Sequence, residues 1–280
     1  MDLDVITDIH PSVIVGIIGL SALYIAAAIK STNRVTRTQW FWFASTVALT
    51  FFTLGPVDEW AERRSFWMHM LQHFNQTFVI PPMLLMAVPA WMLRPWVLSR
   101  PIKPIAKIAT NPFVAFFLFS GVFVMAHSQQ VFDTMCRNEQ VHIAIHLAFM
   151  VTGTLMWWPI LSPLEELPPL SYPAQIFYLF LLMIPMTAVA APITLAYSVV
   201  YPWYLEGPHP WGLTPMDDQV LGGLLMWIGQ GTYLMLVFTA IFVRWQRTED
   251  EVPTVAASSR PIRLVSSRPS RQSLKASGSR

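Results

Sequence analysis

Seven stretches of this 280-residue chain are long and apolar enough to cross a bilayer as helix: about 12–30, 39–57, 66–93, 112–132, 139–161, 174–200 and 218–244. A hydrocarbon core about 30 Å thick needs about 20 such residues, and helix is the form that satisfies every backbone N–H and C=O within the segment. The expected fold is therefore all-α, a seven-transmembrane helix bundle. Pro81-Pro82 in the third stretch, and Pro185 and Pro192 in the sixth, predict kinks. Only 12% of residues are charged, against roughly a quarter in soluble domains. A net charge of +2 with no basic, aromatic-interleaved face argues against nucleic acid as a partner. The composition shifts at about Arg247, so the chain divides into a membrane domain, 1–246, and a basic Ser/Arg-rich tail, 247–280, expected to be disordered.

Orientation follows from the basic residues, which cytoplasmic loops retain. Lys30, Arg34 and Arg37 separate spans one and two; Arg94, Arg100, Lys103 and Lys107 separate three and four; eight more run from Arg244 to Arg280. That places fifteen of the 18 on one side. The other side has Arg63, Arg64 and Arg137 among many carboxylates, Asp2, Asp4, Asp8, Asp58, Asp133, Glu139 and Asp218 included. Seven spans then put the N-terminus outside and the C-terminus in the cytoplasm. The first dozen residues carry three aspartates and no Lys or Arg, the opposite of a secretory signal, so the N-terminus is expected to be retained.

In this topology all seven histidines fall in the outer half. His69 and His73 open span three, and His142 and His146 open span five. Each is an i, i+4 pair, which places two imidazoles on one helix face. His73 lies about 10 Å inside Phe66 and His146 about 10 Å inside Glu139, so the pairs can face each other at one depth. His127 sits near the outer end of span four, where it can complete a metal site with the two pairs; His10 precedes span one and His209 lies in the last outer loop.

Imidazole suits copper, zinc, iron and nickel, and the nearby Met68, Met70, Met125 and Met135 add selectivity for Cu(I). The single cysteine, Cys136, forms no CxxC pair and is either a further soft ligand or an inert small residue. Haem is the rival ligand, but it would use one imidazole per side and leave the second of each pair without a role. The third reading is a metal-free scaffold in which the imidazoles hydrogen-bond between helices. Asp58 and Asp218 sit where spans meet water, and either can hydrogen-bond a ligand imidazole from behind and fix its tautomer. For Asp217 or Asp218 the competing reading is a helix cap. The glycines Gly222, Gly223, Gly229 and Gly231 are expected to allow close helix approach in span seven.

Enzyme signatures are missing: there is no Gly-rich phosphate loop, no GxSxG and no HExxH, and the paired Glu165-Glu166 lie in an inner loop far from the histidines. The chain reads as a non-enzyme.

The run Met68-His69-Met70-Leu71-Gln72-His73 followed by Pro81-Pro82 and Pro89 resembles a block of the CtaG family, the polytopic assembly factors of caa3-type and related haem-copper cytochrome oxidases. Three further blocks resemble it in the family's order. They are His142-x-x-x-His146 through Gly153-x-x-x-Trp157-Trp158-Pro159, Ala191-Pro192 to Tyr201, and Asp218-Gln219-x-x-x-Gly223-x-x-x-Trp227. Together they cover about residues 55–245. The resemblance implies a multi-pass protein of the bacterial inner membrane that helps build an oxidase and takes part in copper delivery. It carries the family's histidines to His69, His73, His142 and His146, and its acidic position to Asp218, with Asp58 a looser match. The implied partners are cytochrome c oxidase subunits and a periplasmic copper chaperone.

Overall fold

The computed structural model describes residues 11–63, 65–206 and 210–251. His10, His209 and most of the tail, 252–280, lie outside the described residues. Among these the protein is all-helical, with no strand. Its helices are α1 (Pro11–Lys30), α2 (Arg37–Leu54), α3 (Pro56–Arg63), α4 (Phe66–Phe74), α5 (Ile80–Ala87), α6 (Ala90–Val97), α7 (Lys103–Ala109), α8 (Pro112–Ala126), α9 (Gln129–Arg137), α10 (Glu139–Leu161), α11 (Tyr172–Thr194), α12 (Pro215–Leu224) and α13 (Gln230–Glu251). By length and apolarity five helices can cross a membrane, and seven if each of two bent pairs counts as one span. The helix of α13 runs past Arg247, so the compositional break does not end it.

Span three differs from expectation in where it bends. A π-helical segment, Asn75–Val79, joins α4 to α5, and the chain passes through Pro81-Pro82 as one span. The Ile80 N–H reaches back five residues to Asn75 O, which re-registers the ladder just before the prolines. Pro81 brings no N–H to the Thr77 carbonyl four residues earlier, and the Trp157 indole N–H supplies it instead, at 2.9 Å. The sharp bend, 99°, falls between α5 and α6. There Val88 is extended ahead of Pro89, the backbone that a following proline favours. In α11 the helix continues through Pro185 and Pro192.

Two spans are shorter than expected. Helix α8 stops at Ala126, and residues 129–137 form the separate α9, which buries Phe132 and Met135 against the bundle while Gln129, Gln130 and Arg137 face outward. Helix α11 ends at Thr194, and Gln219 gathers the chain that follows. Its Oε1 accepts from Val200 N at 2.6 Å, and its Nε2 donates to Ile193 O and Ser198 O.

The core is aromatic: Phe66, Phe78, Phe119, Phe123, Phe132, Phe149 and Trp157 are fully buried among α4, α5, α8, α10, α11 and α12. Helix α1 packs on α2 and is pinned by the Tyr24 hydroxyl donating to Ala87 O at 3.0 Å. Close approach in the last span rests on two of its glycines. A Cβ at Gly222 would fall 2.4 Å from the Phe66 ring, and one at Gly223 would fall 2.3 Å from Thr194 Oγ1 and 3.0 Å from its Cα. At Gly231 the nearest atom is an ordinary 3.8 Å away, and at Gly229 the neighbour is Leu225 of the same span, so those two are not required for helix contact. Gly223→Ala is expected to cost about 1–3 kcal/mol, because backbone must shift to admit the methyl. Thermal unfolding in detergent, with Gly231→Ala near wild type as reference, checks this.

Candidate metal centre

The centre lies at one end of the bundle, where α2, α8 and α11 finish and α4, α10 and α12 begin. Helix α4 brings His69 and His73, α10 brings His142 and His146, and the end of α8 brings His127. All five are buried, with 1 to 7% exposure. Three contacts link four imidazoles through one type of atom: His69 Nε2 to His73 Nε2 at 3.0 Å, His73 Nε2 to His146 Nε2 at 3.3 Å, and His146 Nε2 to His142 Nε2 at 2.9 Å. Two nitrogens held by one ion at about 2.0 Å and the tetrahedral angle lie about 3.3 Å apart, so the spacing suits a small imidazole-ligated cation. His69, His73 and His146 form one set whose ligating atoms all fall within 4.8 Å of one another, and Asp58, His142 and His146 form another. Phe132 packs 5.3 Å from the His69 ring and Phe149 4.6 Å from the His73 ring, which walls the cluster with apolar surface.

Hydrogen bonds to the opposite ring nitrogens assign tautomers. The Tyr204 hydroxyl has one proton and donates it to Ala61 O at 3.1 Å, so at its 2.8 Å contact with His69 it accepts from Nδ1–H. That leaves the His69 Nε2 lone pair facing His73. His127 donates Nδ1–H to Phe123 O at 2.7 Å. Its Nε2 is buried without a hydrogen-bond partner, and its ring centroid is 5.5 Å from that of His73. His127 thus presents a lone pair beside the cluster, outside both close sets. His73 Nδ1 is buried without a hydrogen-bond partner, so its tautomer is set from the Nε2 side, where His69 lies. An Nε2–H on His73 donates to that His69 lone pair at 3.0 Å.

The two carboxylates behave differently. Asp58 follows α2, inside α3, and is buried against the cluster, where it also accepts a short hydrogen bond from Gln72 Nε2. It stands close enough to His142 and His146 to share an ion with them, rather than only supporting an imidazole from behind. Asp218 hydrogen-bonds no imidazole. Its oxygens accept from Ser65 Oγ at 2.6 Å, Phe66 N at 2.6 Å and Trp67 N at 3.2 Å. It therefore caps α4 from another helix, while Asp217 accepts from Thr214 Oγ at 2.6 Å in the cap of its own helix. The residue pair read as one ambiguous cap splits into two different caps.

Of the soft residues, Met70 and Met135 are buried in the core and Met125 is exposed, and Cys136 at the end of α9 is half-buried and belongs to neither close set. On the rim, the Arg137 guanidinium lies 2.9 Å from Asp133 and 5.4 Å over the Trp203 ring; its hydrogen bond holds the Asp133 carboxyl below the usual range. Three participants went unread in the sequence. Tyr204 comes from a short 3-10 turn, Pro202–Leu205, 135 residues away with no spacing signal, and the Phe123 carbonyl has no side-chain signature. Gln72 lies within the His69–His73 run, but its link to Asp58 depends on how two helices meet.

A family model described as cytochrome c oxidase caa3 assembly factor matches residues 22–248. Over 228 residues the chain is 25% identical to an uncharacterized protein of Mycobacterium bovis and equally to one of Mycobacterium tuberculosis. The match covers 75% of this chain and 34% of each relative, so the chain spans about a third of the length of these curated relatives. No solved structure matches it. The family match runs from within α1 to nearly the end of α13 and takes in every imidazole of the cluster, and the chain belongs to the caa3-type cytochrome c oxidase assembly factor family, Caa3_CtaG.

Proposed function

We propose that this chain binds copper(I) at the histidine cluster and passes it to a cytochrome c oxidase subunit during assembly, in a bacterial inner membrane with the cluster on the outer side. One observation carries the reading: four imidazoles from two helices meet through Nε2 at 2.9 to 3.3 Å in a buried site. His69, His73 and His146 would hold the ion, with His142 and Asp58 adjoining and His127 in reserve. Imidazole donors suit copper, and a three-donor site leaves room for an incoming ligand, which transfer by exchange requires. Nitrogens this close leave no slot for a porphyrin between them, which favours copper over haem. Orientation rests on charge: Arg94 pairs with Glu166 at 2.8 Å at the end of the bundle away from the cluster, where the other loop cations gather. The role is delivery rather than catalysis, with an oxidase subunit as recipient and a periplasmic copper chaperone as donor.

Anaerobic copper(I) loading of detergent-purified protein tests this. Copper retained near one equivalent, lost in a His69/His73 double alanine variant, with no haem absorption, supports delivery. Haem absorption moves the protein to electron transfer, and retention of neither leaves a scaffold. Tyr204→Phe keeps the ring against Phe66 and Phe132 but removes the hydroxyl. It is expected to weaken copper binding about 10- to 100-fold, the usual cost of losing a hydrogen bond that orients a ligand imidazole. A competition titration with a copper(I) chelator measures it, and unchanged affinity would remove Tyr204 from the site.

A further inference from the structure

We infer that the cluster provides two overlapping positions for a single ion, and that Asp58 belongs to the one from which the ion leaves. The inference rests on the copper reading above. His146 is common to both close sets, and it turns the same atom, Nε2, toward His73 on one side and His142 on the other. An imidazole nitrogen has one lone pair, so His146 serves one ion at a time. Occupancy of the inner set, His69, His73 and His146, excludes occupancy of the outer set, Asp58, His142 and His146. Two sets thus predict one copper, not two.

The sets differ in chemistry and in access. The inner set offers imidazoles alone, which suit copper(I) better than a carboxylate does. The outer set adds a carboxylate, whose negative charge offsets that of the ion where the surroundings are apolar. A cavity of about 570 Å³ runs between α1 and α10 with apolar walls, and Asp58, His142 and His146 line it while His69 and His73 do not. Along this face of α10 Ile143, Leu147 and Val151 are about half exposed, so the cavity opens on the side that would face lipid or a partner. Gly16 of α1 leaves its side of the opening unfilled. The ion is held by the inner set and leaves through the outer one: the bonds to His69 and His73 break as those to His142 and Asp58 form, while the His146 bond is kept. No electron is transferred.

Asp58→Asn, which preserves size and an acceptor for Gln72, tests the scheme on the full chain loaded with copper(I). Wild type is expected to bind one equivalent at saturation. The variant should also bind one equivalent with affinity within a few fold of wild type, yet release copper to a competing chelator about tenfold more slowly or worse. A wild type that takes up two equivalents, or an Asp58→Asn protein that releases copper at the wild-type rate, overturns the two-position scheme while leaving the copper reading intact. A wild type that retains no copper overturns both.

Discussion

Replacing His146 by alanine is expected to lower copper(I) affinity by more than about 100-fold, beyond what losing a supporting hydrogen bond costs. No other imidazole belongs to both close sets, so its loss leaves two donors on either side. The fold should survive. His146 has 7% exposure, and its ring meets His73, His142 and His69 rather than the Phe and Trp side chains that fill the bundle. A chelator competition titration beside a melting curve separates the two effects. Loss of copper with a melting point near wild type assigns His146 to binding, whereas full copper retention would mean that the ion sits elsewhere.

Asp218→Ala is expected to destabilise the fold strongly. The carboxylate is 5% exposed and serves Ser65 Oγ and the N–H groups of Phe66 and Trp67, which begin α4 and have no partner within that helix. Removing it strands buried donors and should cost about 3 kcal/mol. The effect reaches the metal centre because His69 lies in the same first turn, its N–H bonded to Ser65 O at 3.2 Å. Thermal unfolding in detergent should show a loss of several degrees, and copper affinity should fall with it. A variant that melts with wild type would mean that Ser65 and water cap α4 without Asp218.

Much of this site is visible in spacing alone. Two i, i+4 histidine pairs at matching depth on two apolar helices can face each other, and they do, because α4 with its π segment and α10 pack together through Gly153, where a Cβ would lie 3.3 Å from Thr77. What spacing does not carry is the role of each carboxylate. Asp58 and Asp218 both read as groups that steady an imidazole, yet one joins the cluster and the other caps a helix that begins 152 residues earlier in the chain. The difference depends on which helix end each meets, a tertiary fact. The bend of span three shows the same limit. Pro81-Pro82 looks like the hinge, but a π turn and the Trp157 indole absorb the missing donors, and the chain turns at Pro89 instead.

X-ray absorption at the copper edge on anaerobically loaded wild-type protein separates nitrogen from sulfur ligation at the site. A coordination shell of three imidazole nitrogens without sulfur is the result expected for copper(I) held by His69, His73 and His146. A shell dominated by sulfur would put the ion on methionine or Cys136 and contradict the histidine site.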